Sequence, residues 1–295
     1  MPVNCPICSH HHTGSFHAVK DYTVSHEVFQ LVRCNQCGFV FTENPPAIHE
    51  IGRYYDSAEY ISHTDSKKGL FNQVYQSVRN FSIGQKLKLV QSYTNSKKGE
   101  LLDFGCGTGA FLKFTKDKGW NVIGMEPDKS AREKASTLLG SSVLSPEELL
   151  HLSSNKFDVI TLWHVLEHVH ALHETLENFR KVLNQDGILV IAVPNHASWD
   201  AKHYKHHWAA YDVPRHLYHF TPDTIHRLLT DKGFSKLGMK PMWFDSFYVS
   251  MLSEKYKTGR IRFSSAMLIG LISNINAMLQ PGRCSSQIYI YKKIN

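Results

Sequence analysis

The sequence has no run of 18 apolar residues, no apolar stretch behind a basic start and no lipid-attachment signal. The first absence excludes an ordinary membrane-spanning helix, and together the three predict a cytoplasmic protein. Internal repeats and low-complexity tracts are absent as well. Cysteine is scarce, six in 295 residues, which excludes a disulfide-stapled mini-protein. Four of the six fall in two pairs near the N-terminus, a usage that fits metal binding in a reducing compartment. Charge is modest, 20% of residues against 42% apolar with a mean hydropathy of −0.30, as in a soluble globular chain of one large or two modest domains. Thirty-three Lys and Arg against 26 Asp and Glu give +7, a mild basicity that accommodates an anionic partner without identifying one.

What is present divides into three stretches. Residues 1–44 hold both cysteine pairs and short β-rich runs, with too few apolar residues for a core of their own. Pro45 and Pro46 then remove two backbone donors and mark a boundary. From 45 to 95 the pattern turns helical, with Leu70, Val74 and Val78 at i, i+4, i+8 and Ile83, Leu87 and Val90 continuing a similar face, which reads as a helical linker or lid. From 96 to 295 short apolar runs alternate with helical patterns. They predict strands at 100–104, 121–125, 157–162, 187–193, 234–239 and 287–291, and helices at 110–118, 128–139, 168–183 and 222–232. That rhythm predicts an α/β fold with a Rossmann-like, doubly wound, mostly parallel sheet, interrupted by a lid insertion at about 196–220.

Cys5-Pro6-Ile7-Cys8 and Cys34-Asn35-Gln36-Cys37 each set two thiolates on one turn, and two facing turns supply four sulfurs to Zn²⁺. A β-hairpin fits between them. A closed four-cysteine site has no open coordination position, so this zinc ribbon is expected to hold structure and do no chemistry. The alternative, four reduced structural cysteines, wants an apolar face that this polar segment lacks. His10, His11 and His12 are alternative ligands whose plainer reading is a solvated loop.

Asp103-Phe104-Gly105-Cys106-Gly107-Thr108-Gly109 follows a buried strand and precedes a helix, where glycine lets the backbone approach a ligand closely. A dinucleotide fingerprint fits loosely, but Asp103 is badly placed beside a pyrophosphate and the third glycine comes one residue early. Asp103, Gly105, Gly107 and Gly109 resemble the acid-x-Gly-x-Gly-x-Gly loop of class I S-adenosylmethionine-dependent methyltransferases. Glu126 is similar to the acid at the end of their second strand that accepts from the cofactor's ribose hydroxyls, and Phe157 to Leu162 to the strand entering their active site. The resemblance covers about 100–195. It implies a seven-stranded sheet, S-adenosylmethionine as cofactor, and cofactor contacts from Asp103, Gly105, Cys106, Gly107, Gly109, Glu126, Pro127 and His164. Further out, the four-cysteine segment, Tyr54-Tyr55-Asp56 and Val213 to Thr221 resemble a bacterial group that includes sugar C-methyltransferases and relatives of the quinone O-methyltransferases, whose acceptors differ.

His164-Val165-Leu166-Glu167-His168 fits the H-x-x-E-H pattern of a zinc peptidase. Its place at the carboxyl edge of the sheet, where open α/β proteins bind ligands, argues instead for the acceptor side. The resembled quinone O-methyltransferases carry a Glu-x-x-Glu-His version proposed to bind a divalent cation; here His164 replaces the first Glu. His168 is either a general base or a capping residue in the first helical turn. The insertion 203–216, dense in rings, reads either as a lid or as a packed cover. As a lid it offers His216 as a second candidate base and Arg215 as a holder of a substrate phosphate or carboxylate. The apolar stretch 264–279 is too short to span a bilayer and reads as a core or homodimer helix, with a membrane-surface helix as the sharper alternative.

The favoured function is methyl transfer to an O or C acceptor on a small molecule or a glycan or lipid precursor. One alternative is an RNA-base methyltransferase whose ribbon grips nucleic acid; the scatter of Lys and Arg argues against it. Another is a non-catalytic binding protein on the same fold, against which stands the complete cofactor motif.

Overall fold

A computed structural model describes residues 4–55, 70–95 and 97–294, without the side chains of 70–80. Asp56 and the expected face of Leu70, Val74 and Val78 therefore lie outside the described residues.

Among the described residues the main sheet has six strands: β4 (Glu100–Phe104), β5 (Asn121–Met125), β6 (Phe157–Trp163), β7 (Leu183–Pro194), β9 (Phe234–Pro241) and β10 (Ser286–Lys293), in the order β5-β4-β6-β7-β10-β9. The pairs among β5, β4, β6 and β7 are parallel, and β10 runs antiparallel to both its neighbours. Side chains alternate between the two faces of a strand. Along β7, Ile188, Val190 and Ala192 enter one core while Leu189, Ile191 and Val193 enter the other. A strand buried on both faces needs no polar alternation, which is why these segments read as continuous apolar runs.

The expected seventh strand is corrected. Its place beside β5 is taken by a single parallel bridge, Met125 to Leu144. Ser141 and Ser142 are exposed there, and a segment with only Val143 and Leu144 to bury cannot extend the ladder.

Helices cover both faces. On one side α1 (Leu70–Tyr93), α2 (Ala110–Asp117) and α3 (Lys129–Leu139) contribute Leu87, Val90, Phe111, Leu112, Ala135 and Leu139. On the other, α4 (Leu172–Val182) and α6 (Pro222–Asp231) bury Leu176, Phe179, Ile225 and Leu229. The expected helix at 168–183 starts late, at Leu172, after a 3-10 turn over Leu166–His168. The cause is tertiary: the Leu217 amide takes the Glu167 carbonyl at 2.8 Å, an acceptor that a continuous helix would have used itself.

A second sheet joins β1 (Thr13–Lys20), β2 (Val28–Cys34) and β3 (Val40–Thr42) to β8 (Tyr218–His219). The N-terminal segment therefore shares a sheet with the end of the insertion. Arg215 bolts the two together. Its guanidinium, 1% exposed, donates to Asp21 Oδ1 at 3.0 Å, to Asp212 Oδ1 at 2.7 Å and to the Tyr54 carbonyl at 2.7 Å. The expectation that Arg215 holds a substrate anion is corrected, because its donors are spent on these partners. The remaining helices are α5 (Trp199–Tyr204), which opens the insertion, and the antiparallel pair α7 (Asp245–Thr258) and α8 (Phe263–Leu279).

Candidate active site

The glycine loop hangs from the end of β4. Gly105 and Cys106 both donate their N–H to the Met125 carbonyl, at 2.8 and 2.9 Å, which ties the loop to β5. Gly105 has φ +78°, and a Cβ there would stand 2.4 Å from Val165 Cγ2, so the loop lies directly against the segment leading to His168. Gly107 has φ +55°, and among the described residues nothing lies within 4 Å of an added Cβ, so its outer side is open to them. Gly109 opens α2, where an added Cβ would press on Ala135 of α3.

Two carboxylates flank the loop. Glu126 accepts from the Gly107 N–H through Oε2 at 2.8 Å and from the Asp128 N–H through Oε1 at 3.0 Å, and burial pushes its pKa up. Asp103 is 2% exposed and accepts from Thr161 Oγ1 at 2.6 Å; burial pushes it up to about 7 despite that bond and the nearby Lys86. Two predicted contacts fall away from the open side. The Cys106 thiol turns inward towards Gly124, and Pro127 lies exposed beyond Glu126 with its carbonyl accepting from Arg132.

At the end of β6 four groups converge. Glu167 is fully buried, and among the described residues neither carboxylate oxygen has a hydrogen-bond partner. His168 Nδ1 lies 3.0 Å from the Arg215 carbonyl and 3.0 Å from Tyr55 OH, and His216 Nδ1 lies 2.9 Å from the Ala210 carbonyl. A carbonyl only accepts, so in each ring Nδ1 carries the proton and Nε2 the free lone pair. The two rings meet edge to face with centroids 4.6 Å apart, and His216 Nε2 stands 4.0 Å from Glu167 Oε1. Burial and the neighbouring His216 lower His168 to about 4, so it is a neutral imidazole at pH 7. Burial raises Glu167, but the neighbouring histidines outweigh it and hold the group below the usual carboxylate value. Glu167, His168 and His216 each offer one ligand atom within 4.8 Å of the others, a donor set that also suits a divalent cation.

The segment that carries His216 is held from the N-terminal sheet. Thr42 of β3 donates through Oγ1 to the His216 carbonyl at 2.7 Å and through its N–H to the Leu217 carbonyl at 2.9 Å. Below β3, Cys5, Cys8, Cys34 and Cys37 converge with no disulfide among them. The Cys5–Cys37 and Cys8–Cys34 sulfurs lie 3.5 Å apart, close to the roughly 3.8 Å edge of a tetrahedron with 2.3 Å metal–sulfur bonds. Burial raises Cys34, yet the Cys37 and Gln36 amides bring it down to about 7, whereas burial raises Cys37 to about 11 and pushes Cys5 up further.

Residues 75–237, just over half the chain, match the family model of the methyltransferase domain. The chain belongs to the methyltransferase-domain family. A ubiquinone biosynthesis O-methyltransferase of Rickettsia canadensis (strain McKiel) is 25% identical over 169 residues, which cover 54% of this chain and 72% of that protein. Two solved structures share the fold. A SAM-dependent methyltransferase from Archaeoglobus fulgidus has a TM-score of 0.52 at 20% identity, covering 76% of this chain and 98% of its own. Magnesium protoporphyrin IX methyltransferase from Synechocystis PCC 6803, solved with SAH, has a TM-score of 0.53 at 14% identity, covering 81% and 96%. This is a class I methyltransferase with S-adenosylmethionine as donor, and the loop fits that donor. Space is open beside Gly107, and each Glu126 oxygen keeps a lone pair after accepting one amide.

In this methyltransferase His164, expected at the cofactor, has φ +60° and engages Asp245 Oδ2 through Nε2 at 3.0 Å. Its Nδ1 stands 3.5 Å from Glu167 Oε1, too long for an ordinary hydrogen bond, so that contact is chiefly electrostatic. Desolvation lowers its pKa but Asp245 and Glu167 raise it to about 9, which makes His164 an imidazolium between two carboxylates. Sequence reasoning did not find Asp245, Asp212 or Thr42. No motif joins them to the H-x-x-E-H segment, and only Glu167, quoted inside that pattern, carried a signal.

Proposed function

We propose that this methyltransferase acts on an oxygen or carbon acceptor of a small molecule, glycan and lipid precursors included, with His168 as the proton acceptor. The observation that carries the reading is the buried Glu167 carboxylate, with no hydrogen-bond partner among the described residues, 4.0 Å from His216 Nε2 and within 4.8 Å of a ring nitrogen of His168. Burying a charge in this way is costly. The His164 imidazolium, 3.5 Å away, offsets part of that cost, and a proton arriving on His168 gives the carboxylate a second partner.

The bound donor supplies a sulfonium methyl for an in-line displacement. Gly105, Gly107 and Gly109 bring the backbone close to it, while Asp103 and Glu126 set its polar contacts. His168, partly exposed beside buried His216, takes the acceptor proton on Nε2 while Nδ1 keeps its own proton and donates it to the Arg215 carbonyl. Glu167 balances the imidazolium so formed, and His216 braces the ring edge to face. The same proton removal serves a hydroxyl or a carbon acid.

Zn²⁺ held by Cys5, Cys8, Cys34 and Cys37 has a structural role in this reading. Residues 1–44 are then a zinc-held module, 45–95 a helical linker and 96–295 the catalytic domain, with the insertion 196–220 covering the site. One observation favours a second reading: Glu167, His168 and His216 have the reach to hold a divalent cation, which would polarise an acceptor oxygen.

The test is methyl transfer from labelled donor across phenolic, sugar and isoprenoid acceptors, with donor binding measured separately by calorimetry. His168→Asn and Glu167→Gln should each lower turnover by about 10²–10⁴-fold and leave donor affinity unchanged. Full turnover by both variants would refute the proton-acceptor role; activity that depends on added Mg²⁺ or Mn²⁺ while the melting temperature and zinc content stay unchanged would select the second reading.

A further inference from the structure

Helix α8 carries no charged side chain in its 17 residues. Its inner face, Ala266, Ile269, Gly270, Ser273, Asn274 and Ala277, is buried. Its outer face is apolar and exposed: Leu268 at 57%, Leu271 at 49%, Ile275 at 49% and Met278 at 71%. Ile261 and Phe263 extend this surface at the helix start, and exposed Lys257, Arg260 and Arg262 border it there. A single stripe of this size on a water-facing helix needs an explanation.

Charge decides between the candidates. Residues 246–295 contain seven basic residues, Lys255, Lys257, Arg260, Arg262, Arg283, Lys292 and Lys293, against one acid, Glu254. Glu254 is 4% exposed and accepts from Tyr204 and Ser265, so it offers nothing to a partner. Arg283, Lys292 and Lys293 lie on or beside β10, where Arg283 donates to the Ala197 carbonyl and Lys292 meets Asp186, which leaves Lys255, Lys257, Arg260 and Arg262 around the start of α8. A second copy docking through the same face would set like charges against each other. An anionic bilayer complements both parts at once, taking the apolar side chains among its acyl chains and the basic rim at its phosphates. Among the described residues no helix is long and apolar enough to cross a membrane, so α8 lies on the surface and does not span it.

We infer that the exposed face of α8, with Lys257, Arg260 and Arg262 at its rim, docks this protein on anionic lipid bilayers. The placement has a consequence for the site. Asn274 of α8 donates to the Trp243 carbonyl at 2.9 Å, and two residues on, Asp245 holds His164. A docked α8 is therefore linked, through its inner face, to the segment that holds the histidine site, whatever acceptor it takes.

The test is flotation of the full-length protein with phosphatidylcholine vesicles, with and without phosphatidylglycerol, alongside sedimentation velocity without lipid. Binding should require phosphatidylglycerol and weaken with salt. Leu271→Glu/Met278→Glu should abolish it, and Arg260→Glu/Arg262→Glu should weaken it by roughly tenfold or more. Both pairs are exposed, so thermal melts should be unchanged. No binding to anionic vesicles, or equal binding to both vesicle types, would overturn the inference, as would a lipid-free dimer that Leu271→Glu/Met278→Glu dissociates.

Discussion

Replacing Gly105 by alanine separates two costs that a glycine loop usually hides. The residue sits at φ +78°, a region that costs an L side chain about 1–2 kcal/mol. The new methyl would also stand 2.4 and 2.8 Å from the two Val165 methyls, well inside the 3.5–4.0 Å of ordinary carbon contact. Forcing such an overlap costs about 1–3 kcal/mol. Together these give roughly 2–5 kcal/mol, or a loss of roughly 5–15 °C in melting temperature for a chain of this size. Gly107→Ala carries the backbone cost alone, because no described residue stands within 4 Å of its added methyl. Its effect should fall mainly on donor affinity, since the methyl projects into the open side of the loop. Thermal melts and calorimetric donor titration on Gly105→Ala, Gly107→Ala, Val165→Ala and the Gly105→Ala/Val165→Ala pair resolve the two. The double variant should recover the steric share, a coupling of about 1–3 kcal/mol. Equal melting losses for the two glycine variants, with no recovery in the pair, would refute the packing of this loop on Val165.

Asp21→Asn should destabilise by about 3 kcal/mol, because it removes a charge facing buried Arg215, and urea titration measures it. Burial raises Asp21, but the Arg215 hydrogen bond and the Ser25 amide outweigh it and hold the carboxyl well below its usual range. The unfolded carboxyl titrates near pH 4, so this contribution is complete above about pH 5 and disappears as acid reaches the lower folded value. The native protein should therefore lose more stability below pH 4 than Asp21→Asn does. Thr42→Val removes the hydroxyl that holds the His216 carbonyl, and should lower turnover with little change in donor affinity in the labelled-donor assay. Stripping metal with a chelator should lower both the melting temperature and turnover, with zinc content followed by elemental analysis; a fully stable, fully active metal-free chain would contradict the structural role given to the cysteines.

The main sheet was legible because its strands are buried on both faces. The apolar runs at 100–104, 157–162 and 187–193 leave no other structure to form, and the observed strands begin and end within four residues of them. The sheet edge was not. Leu144 contributes one bridge from a serine-rich segment, so a seventh strand, implied by resemblance, had no apolar run behind it. Of the site, the glycine loop and the H-x-x-E-H segment could be read because each is local. The partners that give those residues their character come from elsewhere: Asp245 from the start of α7, Asp21 from the N-terminal sheet, the Ala210 and Arg215 carbonyls from the insertion. Contacts made across the chain by single residues leave no periodicity to detect. Arg215 illustrates the hazard. An arginine in a ring-rich insertion reads as an anion holder until its donors are found spent on Asp21, Asp212 and Tyr54.

The pairing of β3 with β8 bears on how the chain is made. Phe41 and Tyr218 face each other across that ladder, so on the ribosome the N-terminal sheet emerges long before its fourth strand. Throughout that interval Val40 and Phe41, buried in the finished protein, lie along an open strand edge, the kind of surface on which nascent chains aggregate. The nearby device able to restrain the edge so early is the cysteine cluster, whose last member, Cys37, is translated three residues before β3 begins. With zinc on these cysteines, as proposed, metal supply during synthesis should matter more to the yield of this protein than metal supply afterwards.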